Sequence, residues 1–135
     1  MIVDTSALVA AATGESGADL LKRAMLTGGR IPAPTLVEYR RVMTRRGSRA
    51  APEAEAFLQN LLSGELIVEP FTAEDAVIAS EANVEYGAGN GRGGRLNLLD
   101  LMVYATARRL GLPILCTGTD FASTGIPIHP ASRLG

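Results

Sequence analysis

The chain has 135 residues, which suits a single domain over residues 1–135 with a substantial core. Hydrophobic residues make up 47% of it, yet no apolar run approaches the roughly 20 residues that a membrane span needs. We expect no signal peptide, because Asp4 follows the first residues without a basic segment, and the single cysteine, Cys116, excludes an internal disulfide framework and fits the reducing cytoplasm. Thirteen basic and fourteen acidic residues nearly cancel, so a polyanion would have to be attracted by local arginines or by metal ions.

Strand-like and helix-like segments alternate along the chain. Strands are predicted at residues 1–3, 30–33, 66–68, 113–116 and 126–128. Helices are predicted at residues 7–12, 15–26, 34–46, 52–62, 72–86 and 97–110, with a loop of five glycines over residues 87–95. This order predicts an α/β fold in three α/β/α layers, with a mainly parallel central sheet of four to five short strands.

Four acidic residues occupy similar places in this pattern. Asp4, Glu38 and Asp120 each follow a predicted strand, and Asp100 lies in the first turn of a helix. In parallel α/β sheets the ligand crevice lies beyond the carboxyl ends of the strands. Asp4 and Asp100 sit in apolar segments, where a carboxylate is costly unless a cation compensates its charge. Oxygen ligands without His or Cys favour Mg²⁺ or Mn²⁺, so we predict that the four acids form one metal-binding cleft.

Helix capping is the alternative explanation for each of these acids. Residues 35–38 and 97–100 both have the spacing of a capping box, in which the acid bonds back to the start of the helix. Residues 72–75 have it too, and we assign Asp75 a capping role only. An acid in any first turn also gains from the helix dipole. Capping explains each acid taken alone, whereas four acids in this order favour a shared site.

The sequences around the four acids resemble those of PIN-domain ribonucleases, and more narrowly the VapC toxins of bacterial toxin–antitoxin pairs. The matching motifs are Asp-Thr-Ser beginning at Asp4, Thr-Leu-Val-Glu ending at Glu38, Leu-Asn-Leu-Leu-Asp ending at Asp100, and Thr-Gly-Thr-Asp-Phe around Asp120. The resemblance implies a PIN-like fold and an Mg²⁺- or Mn²⁺-dependent endoribonuclease, with Asp4 and Asp100 as principal metal ligands. It also implies a homodimer, inhibition by a VapB-like antitoxin, and operator DNA binding only through the antitoxin complex. Thr119 departs from the family pattern, in which many relatives carry Asp or Asn, so Asp120 is the only carboxylate of its motif.

Arginines and threonines near these acids are candidate substrate contacts. Arg92 and Arg95 punctuate the glycine loop before Asp100, while Thr117 and Thr119 could orient a water molecule. A larger cluster on and after the helix of Glu38 comprises Arg40, Arg41, Arg45, Arg46 and Arg49. It either steers phosphates toward the acids or is a solvated helix face. Arg92 and Arg95 could instead receive acidic residues of an antitoxin.

Two functions from other classes also fit parts of the pattern. A receiver-like signalling domain likewise places acids around Mg²⁺ at strand ends, but the only lysine, Lys22, lies early in a helix. A catalytically silent PIN-fold binding module would keep the fold only to seize a partner. Metal titration followed by incubation with structured RNA separates these alternatives from a nuclease.

Overall fold

A parallel β-sheet between two layers of helices forms the protein. The computed structural model describes residues 1–47 and 50–135. Its elements are β1 (Ile2–Val3), α1 (Thr5–Thr13), α2 (Ala18–Leu26), β2 (Gly29–Pro32), α3 (Ala33–Arg45), α4 (Ala50–Leu62), β3 (Leu66–Glu69), α5 (Ala73–Tyr86), α6 (Leu98–Leu110), β4 (Ile114–Leu115) and a 3₁₀ turn (Ala122–Thr124). The strand order is β3-β2-β1-β4, and each neighbouring pair is parallel. The predicted fold class is confirmed.

The strands are short, but their residues pack on both faces of the sheet and so contribute to two hydrophobic cores. Successive side chains of a strand point to opposite faces. Val3 and Leu115 therefore join the core beneath α1 to α4, while Ile2 and Ile114 join the core beneath α5 and α6. All four side chains are fully buried. None of the described helices is both long and apolar enough to cross a membrane.

Polar residues and glycines fix the ends of the two helices that matter most for the site. Helix α1 begins at Asp4, whose carboxylate accepts a hydrogen bond from the Ser6 amide, and ends at Gly14 with φ of 68°. Helix α6 begins with a capping box between Asn97 and Asp100, and ends at Gly111 with φ of 65°. Glycine adopts this left-handed conformation without steric cost. These caps place Asp4 and Asp100 at the starts of their helices.

Several predicted boundaries differ from the observed ones. Residues 126–128 form only an isolated bridge between Ile128 and Ile114, rather than a full strand. Helix α2 begins at Ala18 rather than residue 15, because Gly17 has φ of 83° and breaks the helical path. Helix α3 begins at Ala33 with a proline in its first turn, where the missing amide hydrogen is not needed. This earlier start leaves the Thr35–Glu38 capping box unformed.

Candidate metal centre

The four predicted acids line one cavity of about 330 Å³. Asp4 follows β1, Glu38 lies on α3, Asp100 lies in the first turn of α6, and Asp120 follows β4. The cavity is also lined by Thr5, Ser6, Val9, Glu15, Val42, Thr117 and Phe121. Residues more than a hundred positions apart in sequence therefore meet at the carboxyl edge of the sheet.

Asp4 is the most deeply buried of the four acids, with 6% of its surface exposed. Its Oδ2 accepts hydrogen bonds from the Ser6 hydroxyl at 2.5 Å and from the Ser6 amide at 3.1 Å. The same hydroxyl accepts a hydrogen bond from the Thr117 amide at 3.0 Å. Ser6 thus fixes the Asp4 carboxylate and ties it to the loop that leads to Asp120.

Asp100 caps its helix and faces the cavity at the same time. Its Oδ2 accepts the Asn97 amide hydrogen at 3.0 Å, and its own amide donates to Asn97 Oδ1 at 2.9 Å. Burial raises the pKa of Asp100 from 3.8 to about 6, and the charges of Asp4, Asp120 and Glu38 add to this rise. Capping and site formation are therefore compatible roles of one carboxylate.

The cavity concentrates negative charge without enough positive charge to balance it. Burial also raises the pKa of Asp4, with a further contribution from the charge of Glu38. Within residues 1–47 and 50–135, Asp4, Glu38 and Asp100 make no ion pair with an arginine, lysine or histidine. Crowded carboxylates of this kind favour a divalent cation.

The donor set fits a hard cation, although its side chains do not converge as they stand. All four candidate ligands are carboxylates, the type that Mg²⁺ and Mn²⁺ prefer. In the described part of the chain, no group of three or more acidic, histidine or cysteine side chains is placed to hold an ion. Oδ2 of both Asp4 and Asp100 is occupied by capping bonds. The other oxygen of each carboxylate remains available to a ligand.

Asp120 differs from the other three acids in exposure and in partner. Its side chain is 51% exposed and lies 3.2 Å from Arg95 Nη2. The neighbouring Phe121 is buried in the core beneath α5 and α6, which fixes the backbone of this turn. The arginine that we predicted to contact substrate thus contacts one of the predicted acids.

The remaining candidate substrate contacts lie in different places. Thr117 lines the acid cavity, whereas Thr119 is exposed and does not. Arg92 and Arg95 line an adjoining pocket of about 290 Å³ together with Ser123. Arg41 is exposed on α3, one turn beyond Glu38.

The other arginines of the α3 cluster have different surroundings. Arg40 pairs with Glu55 of α4 at 2.9 Å, and Arg46 lies 4.0 Å from Glu15. Arg45 is exposed in the last turn of α3, and Arg49 lies outside the described residues.

Two polar residues of the cavity were missed by the interpretation of the sequence. Ser6 was given no role beyond its place in the Asp-Thr-Ser motif, yet a hydroxyl two positions after a capping aspartate is a local signal that it can bond that carboxylate. Glu15 lies in the turn between α1 and α2, and nothing in its sequence surroundings distinguishes it from a solvated glutamate. Only the fold brings it to the acids.

Comparison with known proteins identifies the family of this chain. The sequence matches the PIN domain over residues 1–127. It is 43% identical over 129 residues to Ribonuclease VapC42 of Mycobacterium tuberculosis, covering 93% of this chain and 96% of that protein. The chain belongs to the VapC family of PIN-domain proteins. Ribonuclease VapC36 of the same organism is 41% identical over 130 residues, covering 93% of this chain and 91% of the relative.

Solved structures of VapC proteins have the same fold. The chain matches Mycobacterium tuberculosis VapC20, a sarcin–ricin-loop-cleaving toxin, with a TM-score of 0.72 and 23% identity over 93% of this chain and 95% of that one. It also matches a chain of VapBC2 from Rickettsia felis bound to a promoter DNA fragment, with a TM-score of 0.70 and 16% identity over 99% of this chain and 96% of that one. At these identities the likeness concerns the fold, which is that of the VapC family.

Proposed function

We propose that this protein is the toxin of a VapBC toxin–antitoxin system and a metal-dependent endoribonuclease. The observation that carries the proposal is the single cavity lined by Asp4, Glu38, Asp100 and Asp120. Family membership supports it, because relatives over 40% identical are named ribonucleases. Neither alternative class gains a comparable feature: the fold matches VapC proteins rather than receivers, and the acids of a silent binding module would have no reason to be crowded.

The chemistry follows from the donor set. We propose that Asp4 and Asp100 hold Mg²⁺ or Mn²⁺ through their free carboxylate oxygens, with Glu38 and Asp120 acting directly or through water. When bound, the ion would lower the pKa of a water molecule and screen charge building on the phosphate oxygens. Ser6 would orient the Asp4 carboxylate through its two hydrogen bonds to Oδ2.

Hydrolysis needs no group of the RNA other than the scissile phosphate. Glu38, half-buried on α3, would orient the attacking water and accept its proton. Water would add to phosphorus while the bond from phosphorus to the 3′ oxygen breaks, and the departing 3′ oxygen would take a proton from solvent. The products would then carry a 5′-phosphate and a 3′-hydroxyl, which 5′-end mapping of cleaved RNA detects.

The substrate contacts that we propose surround this centre. Arg92 and Arg95 line the pocket that adjoins the acids, and Arg41 extends along α3 from Glu38. Arginine binds phosphate strongly because its planar donors match the phosphate oxygens. Thr117 would contact the RNA or a bound water from the cavity wall, and Thr119 would do so only from its exposed position.

Cleavage by purified variants tests the proposal. Asp4→Asn and Asp100→Asn should each abolish cleavage of total bacterial RNA in Mg²⁺ or Mn²⁺ while the protein stays folded. Glu74→Gln is the matched control, because Glu74 is an exposed acid in the first turn of α5 and does not line the cavity. Full cleavage by Asp4→Asn or Asp100→Asn, or none by the unmodified protein in either metal, would refute the nuclease function.

The proposed partners follow from the same family. We propose a homodimer in the cytoplasm, inhibited by a VapB-like antitoxin, with operator DNA bound only through the antitoxin complex. Structural neighbours include VapBC complexes bound to DNA and a toxin–antitoxin complex from Klebsiella pneumoniae. Val77 and Val84 on α5 and Leu98 at the start of α6 are 58%, 62% and 65% exposed, and a second copy would cover them. Sedimentation of the protein alone, and gel shifts of operator DNA with and without the antitoxin, test these assemblies.

A further inference from the structure

A fifth carboxylate, that of Glu15, lines the same cavity as the four predicted acids. It lies in the turn between α1 and α2, and its side chain is 40% exposed. Two arginines approach it: Arg133 Nη2 lies 3.3 Å from Oε2, and Arg46 Nη2 lies 4.0 Å from Oε1. Glu15 therefore differs from Asp4, Glu38 and Asp100 in having cationic partners.

Arg133 joins two sides of this cavity from the C-terminal tail. Its amide donates to the Cys116 carbonyl at 3.0 Å, and its carbonyl accepts from the Gly118 amide at 2.7 Å, so its backbone holds the segment that contains Thr117. Its guanidinium donates to the Ser16 carbonyl and contacts the Glu15 carboxylate. One residue thus holds both the turn of Glu15 and the loop that leads to Asp120.

We propose that Arg133, assisted by Arg46, neutralises Glu15 and thereby sets the affinity of the cavity for its divalent cation. Charges on groups that share a cavity of this size interact within a Debye length, so one unbalanced charge shifts the binding of a divalent ion several-fold. When the charge of Glu15 is neutralised, the other four acids of the cavity define the metal centre. The inference rests on the proposed metal-dependent function and concerns Arg133 as a positioning residue.

Removing the charge of Arg133 and removing the charge of Glu15 should change the metal affinity in opposite directions. Arg133→Gln keeps a donor for the Ser16 carbonyl but leaves Glu15 underbalanced, so Mn²⁺ should bind several-fold more tightly. Glu15→Gln leaves two arginines unopposed beside the acids, so Mn²⁺ should bind several-fold more weakly. In the double variant both changes cancel, and the Mn²⁺ dissociation constant should return to within about twofold of the unmodified protein.

Calorimetric titration with Mn²⁺ at low ionic strength measures these changes. Arg108→Gln is the matched control, because Arg108 is an exposed arginine in the last turn of α6 that does not line the cavity, and it should bind as the unmodified protein does. Thermal unfolding of each variant shows whether it is folded. If Arg133→Gln fails to fold, Glu15→Gln alone decides, since its several-fold weaker binding is required.

Two patterns would overturn the inference. If Arg133 were purely structural, Arg133→Gln would bind Mn²⁺ more weakly, and adding Glu15→Gln in the double variant would not restore the affinity. Equal affinities in all variants, together with Mn²⁺ binding that Asp4→Asn abolishes, would reject the role of Arg133 and Glu15 while the proposed function stands. Absence of Mn²⁺ binding by the unmodified protein would reject both.

Discussion

Two acids in this protein share a local geometry and differ in their neighbours. Asp75 at the start of α5 and Asp100 at the start of α6 both form capping boxes. Asp75 is fully buried and lies 2.5 Å from Arg109 Nε, and Arg109 also pairs with Glu69 at 3.0 Å. Asp100 faces other acids and has no such partner among the described residues.

The pKa values move in opposite directions for this reason. Burial acts to raise the pKa of Asp75, but its bonds to Arg109 and to the Thr72 amide hold it below its ordinary value. Burial and neighbouring carboxylates raise the pKa of Asp100 to about 6. The capping box therefore does not decide whether an acid is structural or chemical. These two acids differ in their cationic partner, which Asp75 has and Asp100 lacks among the described residues.

The largest effect on stability should come from breaking the paired group. Arg109→Ala leaves the Asp75 carboxylate buried without its cation, which costs about 3–5 kcal/mol of unfolding free energy. Urea denaturation measures it. Arg40→Ala is the control, because Arg40 and Glu55 are an exposed pair whose loss costs under about 1 kcal/mol. Equal losses in both variants would contradict the distinction.

The opposite sign is expected for the unpaired group. Asp4→Asn should stabilise the metal-free protein, because it removes a buried charge that burial disfavours and keeps an oxygen acceptor for Ser6. Denaturation in EDTA at neutral pH measures the change. A loss of stability would mean that the Asp4 charge is already compensated in the folded protein.

The pH dependence of stability should also distinguish Asp100 from Asp75. The folded protein binds the Asp100 proton more tightly than the unfolded chain, with a pKa of about 6 against 3.8. Metal-free protein should therefore become more stable as pH falls from about 7 toward 5, and Asp100→Asn should flatten this dependence. Asp75, with its lowered pKa, should contribute a loss of stability only at lower pH. A stability that falls steadily from pH 7 to 5 in EDTA would contradict the assignment.

The smallest effect is expected at the exposed pair beside the cavity. Arg95 and Asp120 have side chains that are 57% and 51% exposed, so Arg95→Ala should change unfolding free energy by less than about 1 kcal/mol. The same variant should cut RNA less efficiently if Arg95 binds phosphate. Unchanged cleavage at limiting RNA concentration would remove Arg95 from the proposed substrate contacts.

The features of the fold and of the site that depend on local chemistry could be predicted from the sequence. Capping residues and glycines predicted α5 and α6, and strand-terminal acids predicted one cavity. Helix α3 begins earlier than predicted because a proline is favoured in its first turn, so Thr35 lies inside the helix rather than at its cap. Glu15 could not be found, because its importance depends on Arg133, 118 positions away.

The choice of partner for each acid was beyond the reach of the sequence. Asp75 and Asp100 have the same local pattern, and only tertiary packing gives Arg109 to one of them. The selection of Asp100 rested on its apolar neighbours and on the set of four acids, and the resemblance to VapC proteins added a motif match to it.

Anomalous diffraction from crystals soaked in Mn²⁺ tests the central claim most directly. We predict an anomalous peak in the cavity of Asp4 and Asp100, within direct ligand distance of both carboxylates, and no such peak beside Asp75 and Glu69. An ion bound elsewhere, or a cavity without a peak at a saturating Mn²⁺ concentration, would contradict the account.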